Sequence, residues 1–337
     1  MTVAPRARVA LVGLGPIGIE VGKALAGRDH IALLGAADPA PDKAGKSLAE
    51  LLDGAFPAIS VHPSAAALYA ETAATRGKAD VAVLCTGSRL HAILPQIAEA
   101  IEAGFHVVST CEELAYPELR HAPMSRQIDS LARKRGVGVL GTGVNPGLVM
   151  DRLVLAVASA CVTVRTVRVR RVVDAARRRG PLRAKVGAGL SVREFHAGVA
   201  QKKLGHVGLS ESAAIIALGL GLPIHEITET IKPVVAEKET EGVPAGRVLG
   251  LNQVALVQAG DEIKVALDLT MAVGASDPED RIDIDGDPPI HLVVAGGFHG
   301  DRSTIGTVVN AVPFIVSAPP GLHSVVTLPL FGLKPLL

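Results

Sequence analysis

The stretch RVALVGLGPIGIEVGKALA, residues 8–26, decides the fold. Residues 8–12 are a short apolar run with one arginine at its start, the pattern of a strand buried on both faces. Gly13-Leu14-Gly15-Pro16-Ile17-Gly18 follows, and Ile17 to Ala26 reads as a helix. A G-x-G-x-x-G spacing that leaves a strand and opens a helix is a dinucleotide-binding turn. Gly13 permits the tight turn, Gly15 lets backbone N–H groups approach a pyrophosphate, and Gly18 lets the helix pack closely on the strand. The helix N-terminus at Pro16 and Ile17 turns partial positive charge toward the phosphates.

A second apolar run, Ile31 to Ala37, ends in Asp38, twenty residues after Gly18. An acidic side chain there binds the adenosine ribose hydroxyls and favours NAD over NADP. Lys43 and Lys46 follow as candidate partners for a 2′-phosphate, so NAD and NADP both stay open. The plainer alternative is Asp38 as a turn cap.

Working outward, the chain alternates. Helices are expected over 43–52, 64–75, 90–103 and 118–135, and strands over 59–61, 80–85, 106–109 and 137–140. Buried strands alternating with helices make a doubly wound parallel Rossmann sheet. After Gly141 the pattern changes. Runs 162–173, 232–235, 247–258, 263–271 and 290–294 read as strands with short turns between them, an open mixed sheet in a second α+β domain. A last helix, 303–317, is expected to return to the first domain. The expected division is therefore 1–143 with 303–337 for the dinucleotide, and 144–302 for the substrate.

The 337 residues are 48% hydrophobic and only 2% aromatic, so the core is built from Ala, Val, Leu and Ile. Without aromatic platforms, and with a net charge of +1, binding to nucleic acid or to an anionic membrane is not expected. The longest weakly polar run, Ala213 to Ile224, is too short to span a bilayer. Three cysteines at wide spacing suit a reducing cytoplasm rather than a disulfide framework. No His/Cys cluster has zinc spacing, so no metal is expected.

In such sheets ligands lie beyond the carboxyl ends of the strands. Here those ends carry Thr86 and Gly87, then Ser109-Thr110-Cys111-Glu112-Glu113, then Gly141 to Gly147 with Asn145 and Pro146. All are expected near the nicotinamide. The Asn145-Pro146 turn offers a backbone carbonyl or an amide, or is a turn with no ligand. Cys111 is either a thiolate nucleophile, which needs a nearby base, or a small buried side chain.

With these stretches the chain resembles the dihydrodipicolinate-reductase-like superfamily, and within it the 2,4-diaminopentanoate dehydrogenase and native amine dehydrogenase group. The matching stretches are VGLGPIG (12–18), STCEELAYPEL (109–119), GTGVNPGLVMD (141–151), KVGAGLSVREF (185–195), LGHVGLSESAAIIALGLG (204–221) and DRSTIGTVVNAVP (301–313). The resemblance implies a homodimer through the open sheet and NAD(P)-dependent oxidative deamination, reversible as reductive amination of a ketone with ammonia. It puts the catalytic carboxylate at Glu112, with Glu113 as the alternative. It also implies substrate contacts from Leu148 and Thr304, and a cofactor contact from Asn310, while His206 either hydrogen-bonds a substrate group or is a buried structural histidine. The paired-His and Lys segment of true dihydrodipicolinate reductases is missing, which disfavours that activity.

An amine releases hydride only as the free base, and the imine must then be hydrolysed. A carboxylate at a buried strand end, raised in pKa by desolvation, suits both proton transfers. Glu112 fits that role. Alternatively, Glu112 and Glu113 are first-turn carboxylates favoured by a helix dipole. Arg177-Arg178-Arg179 with Arg183 and Lys185 is either a binder of a substrate carboxylate or a solvated loop. Asp283, Asp285 and Asp287 around Gly286 read as a charged turn. Two other functions stay in view: another NAD(P)-dependent dehydrogenase acting on a carbonyl or amino acid, and a protein that senses NAD(P) without turnover.

Overall fold

The computed structural model describes residues 7–52, 59–73, 80–176 and 180–329, with the backbone alone at 180–182. It forms two compact units, Met1–Leu148 with Gly300–Leu337, and Val149–His299.

The first unit holds strands β1 (Ala7–Val12), β2 (Ile31–Ala37), β3 (Val61–His62), β4 (Asp80–Leu84), β5 (His106–Ser109), β6 (Gly138–Gly141) and β13 (Gly321–His323). They run in the order β13-β6-β5-β4-β1-β2-β3, and every pair is parallel. All residues of β4, β5 and β6 are buried, because helices cover both faces. α1 (Pro16–Ala26) packs with α10 (Gly300–Val316), and α4 (Leu90–Glu102) packs with α3 (Ala65–Glu71) and α5 (Glu118–Arg135). The sheet is a doubly wound Rossmann sheet. At its amino end Arg8 and Asp80, register partners on β1 and β4, form a two-pronged ion pair with both contacts at 2.6 Å.

Two elements are shorter than their sequence pattern. The helix expected over 43–52 is only α2 (Leu48–Leu51). Residues 40–46 instead close on themselves as turns, with Gly45 at φ +80° breaking any helical register. The strand expected at 59–61 is instead the two residues Val61–His62, enough to pair with the end of β2.

The second unit holds β7 (Thr163–Asp174), β8 (Glu226–Val235), β9 (Val248–Ala259), β10 (Glu262–Ala272), β11 (Glu279–Asp287) and β12 (Ile290–Ala295). Their order is β12-β11-β7-β10-β9-β8, antiparallel throughout except for the parallel pair β7–β10, so the sheet is mixed. α9 (Leu209–Gly219) packs on β8, β9 and β10. Helices α6 (Arg152–Ala158), α7 (Gly180–Lys185) and α8 (Val192–Ala200) complete the unit.

Here one expectation is corrected. Asp283, Asp285 and Asp287 are not a charged turn but lie on strand β11. Ile282 and Ile284 fill the buried face at alternate positions. The aspartates between them face outward to cations: Asp283 meets Arg281 and His291 at 2.8 Å each, and Asp285 pairs with Arg165. Among the described residues no helix is long and apolar enough to cross a membrane.

Candidate active site

β1 ends at Val12 and the chain turns at Gly13, whose φ is +89°. A Cβ there would lie 2.7 Å from Thr86 Cγ2 and 2.8 Å from the Cys85 carbonyl oxygen, so no side chain fits. A Cβ on Gly18 would sit 1.8 Å from the Gly13 carbonyl oxygen, which is why α1 can start so close to β1. Gly15 differs, since a Cβ there would meet nothing within 4 Å. Gly15 is the N-cap of α1, makes no side-chain cap, and the first turn carries no acidic residue. Unspent N–H groups at a helix N-terminus, open space above them and no repelling carboxylate fit the pyrophosphate of a dinucleotide.

Asp38, at the end of β2, is buried. Its Oδ1 accepts the Ala40 N–H at 2.9 Å, and its Oδ2 accepts the Leu14 N–H at 2.7 Å and the Lys43 ammonium at 3.2 Å. Burial pushes this carboxyl up, but the two N–H groups and Lys43 outweigh it and hold it below the usual aspartate range. Asp38 thus both shapes the glycine turn and carries its own counter-ion. Lys46 is exposed.

The ends of β4, β5 and β6 are tied together. The Ser109 hydroxyl donates to the Leu84 carbonyl at 3.2 Å and accepts the Cys111 N–H at 3.1 Å. The Thr110 N–H reaches the same Leu84 carbonyl at 3.0 Å, and the Thr142 N–H reaches Ser109 O at 2.9 Å. Thr86 is exposed at the rim beside the half-buried Gly87. Beyond β6 the chain turns through a cis Asn145–Pro146 bond, with Asn145 buried. The Thr304 hydroxyl, from the first turns of α10, accepts the Val144 N–H at 3.2 Å and so joins this rim.

After β5 a single 3-10 turn, Glu112–Ala115, carries both glutamates. Glu113 is the buried one, at 3% exposure. Its Oε1 accepts Arg89 Nη1 at 2.8 Å, while Oε2 accepts the Leu90 N–H at 2.7 Å and lies 3.1 Å from His121 Nε2. His121 sits at a kink in α5, with φ −134° and ψ 40°. Burial would raise the Glu113 carboxyl, but Arg89, the Leu90 N–H and His121 together hold it below the usual glutamate range. The water-starved carboxylate expected at Glu112 is therefore at Glu113, and it is kept ionised rather than raised. Glu112 is half-buried on the same turn.

Residues 148–332 match the family model of the 2,4-diaminopentanoate dehydrogenase C-terminal domain. Over 272 residues the chain is 34% identical to the 2,4-diaminopentanoate dehydrogenase of Acetoanaerobium sticklandii, covering 77% of this chain and 76% of that one. The chain belongs to the 2,4-diaminopentanoate dehydrogenase family. Its fold is shared with an amine dehydrogenase from Mycobacterium smegmatis, at TM-score 0.85 and 22% identity over 98% of both chains. A gentamicin A biosynthesis protein in complex with NAD has TM-score 0.54 and 17% identity, covering 96% of this chain and 90% of that one.

Within this family site the thiolate reading of Cys111 fails. Cys111 is 1% exposed, and burial, with the charges of Glu112 and Glu113 nearby, pushes its thiol up to about 12. The remaining expected residues fall in different places. Asn310 lies on α10, where its Oδ1 accepts Arg28 Nη2 at 3.2 Å, from the second residue past the end of α1. Leu148 is half-buried at the last position of the first of its unit's two segments. His206 belongs to the second unit, where its backbone exchanges two 2.8 Å hydrogen bonds with the Gln253 side-chain amide. Arg177, Arg178 and Arg179 lie outside the described residues.

Sequence reasoning passed over Arg89 and His121. No spacing marks either of them. The usable signal was charge: Arg89 is the one basic residue in the rim segments after β4 and β5, which otherwise carry only the acid pair.

Proposed function

We propose that this chain is an NAD(P)-dependent amine dehydrogenase whose proton-transfer residue is Glu112. The reaction is oxidative deamination of an amine or diamino acid, run in reverse as reductive amination of a ketone with ammonia. The observation that carries the residue assignment is the division of labour on one turn. Glu113 spends both oxygens on Arg89, Leu90 and His121 and is buried, and Glu112 is the more exposed carboxylate of the two.

The nicotinamide supplies the hydride acceptor or donor when bound. The glycine turn and the N-terminus of α1 hold the phosphates, and Asp38 with Lys43 frames the adenosine end. Glu112 takes a proton from the substrate ammonium, so that the nitrogen lone pair can drive hydride departure. Once that proton has passed to solvent, the regenerated carboxylate accepts a second one from the water that adds to the imine carbon. In the aminating direction the same carboxyl returns these protons. Buried Cys111 and Leu114 exclude bulk water behind it.

The test is consumption of NADH or NADPH with a ketone panel, with and without ammonium. The expected result is turnover only when ketone and ammonium are both present. Glu112→Gln should lower kcat by about 10²- to 10⁴-fold, the usual share of a general base, while the cofactor Kd stays within twofold. Ammonium-independent turnover, or a Glu112→Gln enzyme of full activity, would overturn the reading.

Two further readings belong with it. The outer face of the six-stranded sheet supports pairing with a second copy of the chain. Three free cysteines, Cys85, Cys111 and Cys161, support a reducing cytoplasm.

A further inference from the structure

We infer that Lys43 makes the adenosine end of the cradle a 2′-phosphate site, so that the chain binds NADPH at least as tightly as NADH although an acid closes β2. The inference rests on the NAD(P)-dependent reading and adds to it the cofactor and the residue that selects it.

An acid at the end of β2 favours NAD in two ways. It accepts the 2′-hydroxyl of the adenosine ribose, and it repels a 2′-phosphate. Asp38 is poorly available for the first. Its Oδ1 accepts the Ala40 N–H at 2.9 Å and its Oδ2 the Leu14 N–H at 2.7 Å. The carboxylate is spent on its own turn and on the glycine turn, and its side chain is only 10% exposed.

Lys43 cancels the second. Its Nζ lies 3.2 Å from the same Oδ2 that takes the Leu14 N–H, so one oxygen joins the ammonium to the cradle backbone. The backbone holds it there. The Lys43 N–H donates to Ala40 O at 2.9 Å, the Lys46 N–H to Lys43 O at 3.0 Å, and the Gly45 N–H to Val61 O of β3 at 2.8 Å. These turns stand where a helix was expected, and they fold Lys43 back onto the end of β2. The exposed half of the pair is the cation, at 22%. An ammonium has three N–H donors, and Asp38 takes one of them. A ribose hydroxyl gains one ordinary hydrogen bond from such a group. A 2′-phosphate gains a charge-assisted one, roughly twice as strong.

The experiment measures binding rather than turnover. Nicotinamide fluorescence gives Kd for NADPH and NADH, and calorimetry gives Kd for adenosine 2′,5′-bisphosphate and adenosine 5′-monophosphate, which differ only in the 2′-phosphate. The proteins are wild type, Lys43→Met, Lys43→Arg and Lys46→Met. In wild type the Kd for NADPH should equal or lie below that for NADH. Lys43→Met should shift the NADPH-to-NADH ratio at least tenfold toward NADH, and the bisphosphate-to-monophosphate ratio likewise, while Kd for NADH moves less than threefold. Lys43→Arg keeps the cation and should hold both ratios within threefold. Lys46→Met should do the same, since Lys46 is exposed and has no tie to Asp38.

A wild type that binds NADH more tightly than NADPH overturns the inference and returns the choice to Asp38. So does a smaller shift of the ratio in Lys43→Met, or an equal loss of both dinucleotides, which would make Lys43 structural. A shift found in Lys46→Met instead also overturns it. Failure of the amine dehydrogenase reading shows separately, as no ammonium-dependent turnover with either cofactor, and the binding ratios still decide Lys43.

Discussion

Glu112 and Glu113 are the same residue type, one bond apart along the chain, and the fold gives them opposite tasks. Glu113 is a buried anion with three polar partners, so removing its charge leaves Arg89 and the Leu90 N–H short of an acceptor. Glu113→Gln should cost about 2–3 kcal/mol of stability. It should also change the acid limb. The folded-state pKa of Glu113 lies below its unfolded value, so its contribution is fully present above about pH 4.5 and is lost as the pH falls through the lower folded value. Urea midpoints measured from neutral pH down to about pH 3 should therefore fall less steeply for Glu113→Gln than for wild type in that window. Parallel curves would mean the carboxylate is not held ionised by its neighbours. None of this was readable from two adjacent glutamates. Sequence spacing put both at a strand end, but which one turns inward depends on Arg89 and His121, residues 24 and 8 positions away.

The parallel strands show what kind of element declares itself. β1, β4 and β5 are buried on both faces and read as unbroken apolar runs, and the glycine motif fixes where β1 stops and α1 begins. β11 is different, because its solvent face is acidic and its inner face sets two isoleucines between buried Asp280 and Gly286, so composition hid the alternation. α9 was missed for the opposite reason. Leu209 to Ala217 is buried all round, so no polar face marks a helical period. Polar register marks inside the sheet are equally silent in sequence, and the Arg8–Asp80 pair across β1 and β4 is one. Asp80 is fully buried while the Arg8 side chain is 24% exposed, which makes the pair asymmetric. Arg8→Met removes the two-pronged partner of a fully buried carboxylate and should cost about 3–5 kcal/mol. Asp80→Leu lets Arg8 turn to water and should cost clearly less. Denaturant unfolding of the two variants checks the order, and equal losses would show that the pair acts by attraction alone.

At the scale of the whole molecule, the proposed pairing with a second copy would use the outer face of the six-stranded sheet. Arg168 and Arg170 on β7, Asp268 on β10, and Arg281 and Asp283 on β11 line a hollow of about 420 Å³ on that face, with Val254 and Ala266 on its floor. Six strands about 4.8 Å apart, each about ten residues long, make a face of roughly 900 Å². That is close to the area of about 800 Å² per partner in a stable interface. Rows of arginine beside rows of aspartate are self-complementary, as a twofold contact requires, since each patch must meet its own copy. Light scattering should accordingly give twice the 34.6 kDa chain mass at micromolar concentration. Arg168→Glu with Arg170→Glu turns two cations of this face into acids beside Asp268 and Asp283, so like charges would meet across the proposed contact. The double variant should run at the mass of one chain and keep its far-UV spectrum, because both side chains are exposed and their strands are held by the inward Val167 and Val169. A wild type that scatters as one chain, or a double variant that stays paired, would remove the sheet face from the assembly.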